Sequence, residues 1–257
     1  MVGTRFDLDE QFVEDQLDLD VWFPHYLPHW SSRSRSAASY TVGNGELRLS
    51  IPRDQALWGA ETHAEPLRVS CLQSGSHAGP LGSPVGQQPF REGLVVREEQ
   101  PTFWGYTPHF GQVEVTMRAI VSPRSMFAFW MSGIEDRPER SGEICVAEVF
   151  GSTVGADTAD VGLGVHRFRD PVLLEDFTAQ ALGIDVTEDH TYGVDWRPGS
   201  LRFAVDGVTV RRLDQAPDYP MQLMIGVFDF PARADSDADE VPIPELVVTQ
   251  VRGRPLS

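Results

Sequence analysis

Apolar and polar residues alternate along several short windows of this chain, among them Glu46 to Ile51, Gln112 to Ile120, Leu201 to Val205 and Val208 to Leu213. A period of two marks strands with one buried face. Between the windows stand groups that favour turns: Gly43-Asn44-Gly45, Arg197-Pro198-Gly199-Ser200 and Asp206-Gly207. The last two predict three consecutive antiparallel strands, Tyr192 to Trp196, Leu201 to Val205 and Val208 to Leu213. Met221 to Phe228 and Glu245 to Val251 read as buried strands, and Met126 to Met131 and Ile144 to Phe150 as strands covered on both faces. No long amphipathic helix is evident. Pro171 to Ile184 reads as a loop with a short helix, Gln73 to Pro89 as a long surface loop of the kind that carries binding elements, and Asp229 to Glu240 as an acidic loop.

Many short strands without helices predict an all-β fold, a two-sheet antiparallel β-sandwich whose bent sheets leave a concave cleft. Strands flank every loop and no repeat is visible, so residues 1–257 are expected to form one domain.

Composition narrows the functions. The net charge of −17 opposes binding to nucleic acid or anionic lipid, whose affinity depends on Lys and Arg. No apolar run approaches the roughly 20 residues that span a bilayer. Met1 to Asp20 is acidic and lacks the basic and apolar regions of a secretory signal, so a cytoplasmic location is expected. A monomer is the expected state. Cys71 and Cys145 are too few for a disulfide framework, and two free buried thiols fit cysteine's habit better than a bridge.

The segment Ser141 to Gly151 places Glu143 and Glu148 in an otherwise apolar strand, where a charge needs solvent or a partner. Glu143 and Cys145 share a face, while Glu148, five residues from Glu143, would point the other way in a regular strand. One β-bulge near Val146 or Ala147 would bring Glu148 onto the same face. Two carboxylates about 5 Å apart suit a retaining glycosidase, in which one attacks the anomeric carbon and the other donates a proton. The same spacing also allows one glutamate to face solvent and the other to pair with Arg140 or Arg167.

Glu143-Ile144-Cys145-Val146-Ala147-Glu148, preceded by Gly142, resembles the catalytic strand of glycoside hydrolase family 16, which reads E-[IL]-D-x-x-E or a form one residue shorter. Similar family segments follow the same order: Asp20-Val21-Trp22, Gly45 to Leu49, Phe110 to Val115, Ala128 to Met131, His190 to Pro198 and Leu201 to Gly207. The resemblance implies a concanavalin A-like jelly roll acting on a β-linked polysaccharide or oligosaccharide. It implies Glu143 as nucleophile and Glu148 as general acid/base. Trp130 and His166 are implied beside the sugar. Trp30 and Trp104 are further candidates for the groove, with Trp22, Tyr26 and His29, although core packing accounts for all of these equally well.

Two departures stand out. Cys145 occupies the position of the motif's central Asp, and a thiol is a weaker donor. The charged residues Arg137, Glu139 and Arg140 stand where relatives carry a Trp-Pro that stacks on sugar, which points to an altered ligand, charged or smaller. A retaining hydrolase or transglycosylase is therefore one expectation, and a sugar-binding protein that has lost turnover is the other. A reactive Cys145 ranks below both, because neighbouring carboxylates raise a thiol's pKa. No cofactor is expected. Some family members bind structural calcium, but no ligand set for it is recognisable here, and the acidic group Asp229, Asp235, Asp237, Asp239 and Glu240 lacks the EF-hand pattern.

Overall fold

The alternating windows fold into strands in a computed structural model that describes residues 7–233 and 242–256. The strands among the described residues are β1 (Leu8–Glu10), β2 (Ser39–Gly43), β3 (Glu46–Ser50), β4 (Arg68–Gln73), β5 (Gly75–Ser76), β6 (Phe103–Trp104), β7 (Gly111–Ile120) and β8 (Ser125–Gly133). They continue with β9 (Glu143–Phe150), β10 (Ala159–His166), β11 (Asp176–Leu182), β12 (His190–Arg197), β13 (Ser200–Val205), β14 (Val208–Leu213), β15 (Met221–Asp229) and β16 (Glu245–Arg254). One sheet has the order β14-β13-β12-β7-β16-β3-β2 with β1 added on β16, the other the order β11-β10-β9-β8-β15-β4. All pairings within them are antiparallel, giving the expected sandwich. The short α-helix α1 (Arg33–Ser36) is capped by the Ser32 hydroxyl, which accepts from the Arg35 amide. Among the described residues no helix is long and apolar enough to cross a membrane.

The period of two explains the main core. In β7, Val113, Val115, Met117 and Ala119 turn inward while their neighbours stay partly exposed. They meet Phe127, Phe129 and Met131 of β8 and Leu223, Ile225 and Val227 of β15, all buried in the same cluster between the sheets. Each such side chain contributes roughly 1.5–3 kcal/mol when fully buried. The turn at Asp206-Gly207 has positive φ at both residues, 49° and 76°, as a two-residue hairpin between right-twisted strands requires.

β8 and β15 are buried along their whole length. Their second face, with Met126, Ala128, Trp130, Met224 and Phe228, belongs to a separate apolar cluster on the outside of the six-stranded sheet. The segments that cover this face come from residues 24–38, 55–67 and 78–100, which supply Leu27, Trp30, Trp58, Leu94 and Val96.

Three sequence expectations need correction. Pro171 to Ile184 contains strand β11 rather than a helix, because it is an edge strand bonded only to β10 and needs few buried apolar residues to hold it. The stretch from Gln73 to Pro89 does not begin on the surface. Gln73 closes β4, and Ser74, Gly75 and Ser76 are buried, with Gly75 so close to Ile134 that a Cβ would lie 2.3 Å from its Cδ1. Asp229 is not part of an acidic loop either. It ends β15, 2% exposed, between Arg124 Nε at 2.7 Å and Arg68 at 3.2 Å, so its charge is taken up by these cations. Asp235, Asp237, Asp239 and Glu240 lie outside the described residues.

Candidate active site

Strand β9 carries the candidate carboxylates, and its register decides where they point. Phe129 of β8 pairs with Ala147, yet the next residue, Trp130, pairs with Cys145, so Val146 has no partner. On the other side, Gly162 pairs with Glu148 and Gly164 with Cys145, which leaves the same extra residue in β9. This is a β-bulge, and it sits where two glutamates five apart needed one. Ile144, Val146, Ala147 and Val149 all enter the core between the sheets. Glu143, Cys145 and Glu148 line a cavity of about 230 Å3 on the opposite face.

The cavity's floor and walls are largely aromatic and aliphatic, including Trp130, Phe228 and Phe230, with Tyr26 and His63 from the covering segments. Glu143 is 8% exposed, Glu148 is half-buried, and among the described residues neither forms an ion pair. The alternative pairing with Arg140 or Arg167 is not realised: Arg140 pairs with Asp136 at 3.1 Å. Burial first, and then the neighbouring Glu148 charge, push the Glu143 carboxyl up to about 8, against a hydrogen bond from Gln88 that favours its ionised form. Burial also raises Glu148, opposed by the nearby His166. Cys145 is raised well above the usual thiol range by burial and by both glutamates. A thiol so held stays neutral, which removes the basis for thiolate chemistry.

Gln88 is the site residue that spacing along β9 had no means of finding. Its side-chain amide donates to Glu143, and its backbone amide donates to Glu135 Oε1 at 2.6 Å. Glu135 is 4% exposed and paired with Arg169. Both Gln88 and Glu135 have positive φ, 48° and 56°, a conformation costly for non-glycine residues that persists where surrounding contacts over-determine it. The one sequence signal was that Gln88 lies in the Gly- and Pro-rich stretch marked for binding.

Beyond β9, on the β10 side, His166 sits opposite Glu143 in register. Its Nδ1 lies 2.5 Å from Glu175 Oε1, and its ring stacks on Phe177 at 4.6 Å. Phe177 occupies the space that a side chain at Gly162 would fill, since a Cβ there would come within 2.5 Å of its ring. The remaining candidates fall elsewhere. Trp30 is 0% exposed, with its Nε1 donating to Gln87 O at 2.6 Å, so it belongs to the outer apolar cluster and cannot touch a ligand. Trp104 is 48% exposed on the β5–β6 ribbon and does not line the cavity. Trp22 and His29 are buried, and Tyr26 alone of the N-terminal aromatics reaches the cavity. Arg137 and Glu139 are exposed and lie outside its lining, so the charged stretch adds no charge to the ligand site. Both cysteines are free and buried. Among the described residues no group of three or more His, Cys, Asp or Glu could hold a metal ion.

The sequence profile described as "Glycosyl hydrolases family 16" matches residues 106–240, more than half of the chain and the whole of the strand run that carries the paired glutamates. The chain belongs to glycoside hydrolase family 16. Family 16 members are glycosidases and transglycosylases acting on β-linked glycans. Among solved structures, a GlcNAcα1-4Gal releasing endo-β-galactosidase from Clostridium perfringens is similar with a TM-score of 0.83 and 25% identity, covering 98% of this chain and 62% of that one. The chain therefore spans about three fifths of that relative's length. A laminarinase from Flavobacterium sp. UMI-01 has a TM-score of 0.63 at 16% identity, covering 97% of this chain and 100% of that one. The Crh5 transglycosylase has a TM-score of 0.62 at 16% identity, covering 97% and 84%. These two likenesses speak for the family 16 fold alone. A comparison with curated protein sequences finds no match.

Proposed function

We propose that this family 16 protein is a retaining glycoside hydrolase, with Glu143 as nucleophile and Glu148 as general acid/base. The observation that carries the reading is the bulge at Val146, which turns both glutamates into one largely apolar cavity. Glu143 is the more enclosed of the two and is held by the Gln88 hydrogen bond, which favours its ionised form and suits it to attack a sugar placed over it. Glu148 is half-buried towards the open side, where a leaving group and then a water can reach it.

In the first step a Glu143 oxygen bonds to the anomeric carbon as the glycosidic C–O bond breaks, and Glu148 gives its proton to the departing oxygen. In the second, Glu148 takes a proton from water, the water oxygen bonds to the anomeric carbon, and Glu143 leaves as a carboxylate. The first step needs Glu143 ionised and Glu148 protonated, so the pair must carry one proton between them. Two close buried carboxyls with raised pKa values hold such a proton near neutrality and titrate as a unit.

The alternative is a carbohydrate-binding protein that does not turn over. It is favoured by one feature, the neutral Cys145 thiol at the position assigned to the motif's Asp. The two are separated by incubating wild type and Glu143→Gln with β-linked galacto-oligosaccharides, laminarin, lichenan, agarose and xyloglucan. Hydrolysis by wild type only, with the first-formed sugar keeping the β configuration by NMR, is the expected result. Saturable binding by both proteins with no product from either would replace the hydrolase with the binding protein.

A further inference from the structure

A groove that ran across all six strands of the site-bearing sheet would leave the outer faces of its end strands open to solvent. At the β4 side they are not. Val69 and Cys71 of β4 and Met224 of β15 are 0% exposed, within the outer apolar cluster. The segments above them are fastened in place. Trp58 Nε1 donates to Tyr26 O at 2.8 Å, the Leu27 amide to Gln73 Oε1 at 2.7 Å, and the Arg97 amide to His29 O at 2.8 Å. The block is packed core, and the cavity containing both glutamates ends against it at Tyr26, Leu67 and Phe228.

The opposite side has a different character. Past Glu148, towards β10 and β11, the half-exposed ring of Phe177 stacks on His166, and the exposed Phe168 lies 5.8 Å from the same histidine. Aromatic faces presented to solvent suit the apolar face of a pyranose. A Cβ at Gly162 would meet both the Phe177 ring, at 2.5 Å, and Glu148 Cβ, at 3.2 Å, so the half-exposed Glu148 borders this platform. With Glu148 as the acid, the departing part of a substrate is placed there and the attacked sugar in the cavity.

Size and charge limit that sugar. At about 230 Å3 the cavity falls below the roughly 300–1,000 Å3 of pockets that take drug-sized ligands. It has room for one ring. Among the described residues its lining contains two glutamates and no Lys or Arg, and one histidine, His63, which is engaged through Nδ1 with Glu65 O at 2.6 Å. A carboxylate or sulfate on the sugar would bring a second negative charge beside the single charge shared by the glutamate pair, with no cation in the lining to meet it.

We propose that the cleft is closed at its β4 end and receives the non-reducing terminal residue of an uncharged β-linked glycan, with the rest of the chain leaving over Phe177 and His166. This rests on the glycosidase reading for the roles of the two glutamates, but the shape of the site can be tested without turnover. Binding to the Glu143→Gln protein is measured by calorimetry for neutral β-linked galacto- and gluco-tetrasaccharides in three forms: free, blocked at the non-reducing terminal sugar by a 4,6-O-benzylidene group, and blocked at the reducing end by a bulky glycoside. Excluding one ring from its pocket is expected to weaken binding by at least about 100-fold, as the usual affinity per ligand atom implies, whereas the reducing-end block changes it by less than about threefold. Wild type acting on reducing-end-labelled chains should shorten them from the far end by small units. Equal binding of both blocked forms, preferential loss with the reducing-end block, or random internal cuts each overturn the closed-end assignment while leaving the glycosidase intact. Failure of all free tetrasaccharides to bind also overturns it. The expected binding pattern without any product would uphold the closed end and remove the hydrolase.

Discussion

Burial and the neighbouring Glu148 favour the neutral form of Glu143, and this has a consequence for stability. Its carboxyl titrates near 4.5 when unfolded and near 8 in the folded chain, so between these pH values the folded state holds a proton that the unfolded state has released. Stability must then fall as pH rises through that window, by up to several kcal/mol from this group. Glu143→Gln has nothing to ionise and is expected to be more stable than wild type at pH 8, with the difference shrinking to nothing near pH 4.5. Urea midpoints of both proteins between pH 4.5 and 8.5 read this directly, and a flat wild-type curve would contradict it. Gln88 acts on the same carboxyl in the other sense, because its amide stabilises the anion. A hydrogen bond to a charged group is worth about 1.5–3 kcal/mol, so Gln88→Leu should lower the ionised fraction of Glu143 by roughly 10- to 150-fold below its pKa. The acid limb of kcat/KM should move to higher pH by about one to two units. An unmoved limb would show that Gln88 only fills space.

At the scale of the strand, the bulge in β9 does what alternation cannot do for residues five apart. Deleting Val146 shortens the separation of Glu143 and Glu148 from five positions to four, and a regular strand then puts both on the cavity face without a bulge. The deletion variant is expected to keep both activity and fold, at a loss of about 1.5–3 kcal/mol for the buried valine. Adding an alanine after Ala147 pushes Glu148 out of step with the existing bulge, and should abolish product formation while the protein remains folded by circular dichroism. Equal activity in both variants would mean that the bulge does not set the orientation of Glu148. The small neighbours of Glu148, Ala128 and Gly162, serve the same end, since they leave its side chain free beside the cavity.

Taken whole, the described residues form two cores, one between the sheets and one between the six-stranded sheet and the segments laid over it. Trp58 is central to the second, 2% exposed and hydrogen-bonded to Tyr26 O. Trp58→Ala should cost about 3–5 kcal/mol in chemical denaturation. Val172→Ala, at an 83% exposed position, should stay within about 0.5 kcal/mol. Comparable losses in the two variants would show that the covering segments contribute little to folding. A second core built from such segments explains how a sandwich can carry an enclosed site: the loops gain their own burial and bring Tyr26, His63 and Gln88 to the glutamates.

The local parts of this structure were legible in the order of residues. Alternation marked β3, β7, β13 and β14, the Asp206-Gly207 pair marked a hairpin, and the spacing of Glu143 and Glu148 called for a bulge that is found at Val146. These features depend on near neighbours and on a period of two, which a sequence carries directly. The closed end of the cavity, the Gln88 contact and the burial of Trp30 depend on segments 46 to 57 residues apart meeting across the outer sheet. An aromatic residue reads the same whether it faces a ligand or a core. β11 was hidden for a related reason, because an edge strand is held by backbone bonds to one neighbour and leaves a weak apolar pattern. The chain's order thus determined which side chains share a face, and only the packing of distant segments decided which faces stayed open.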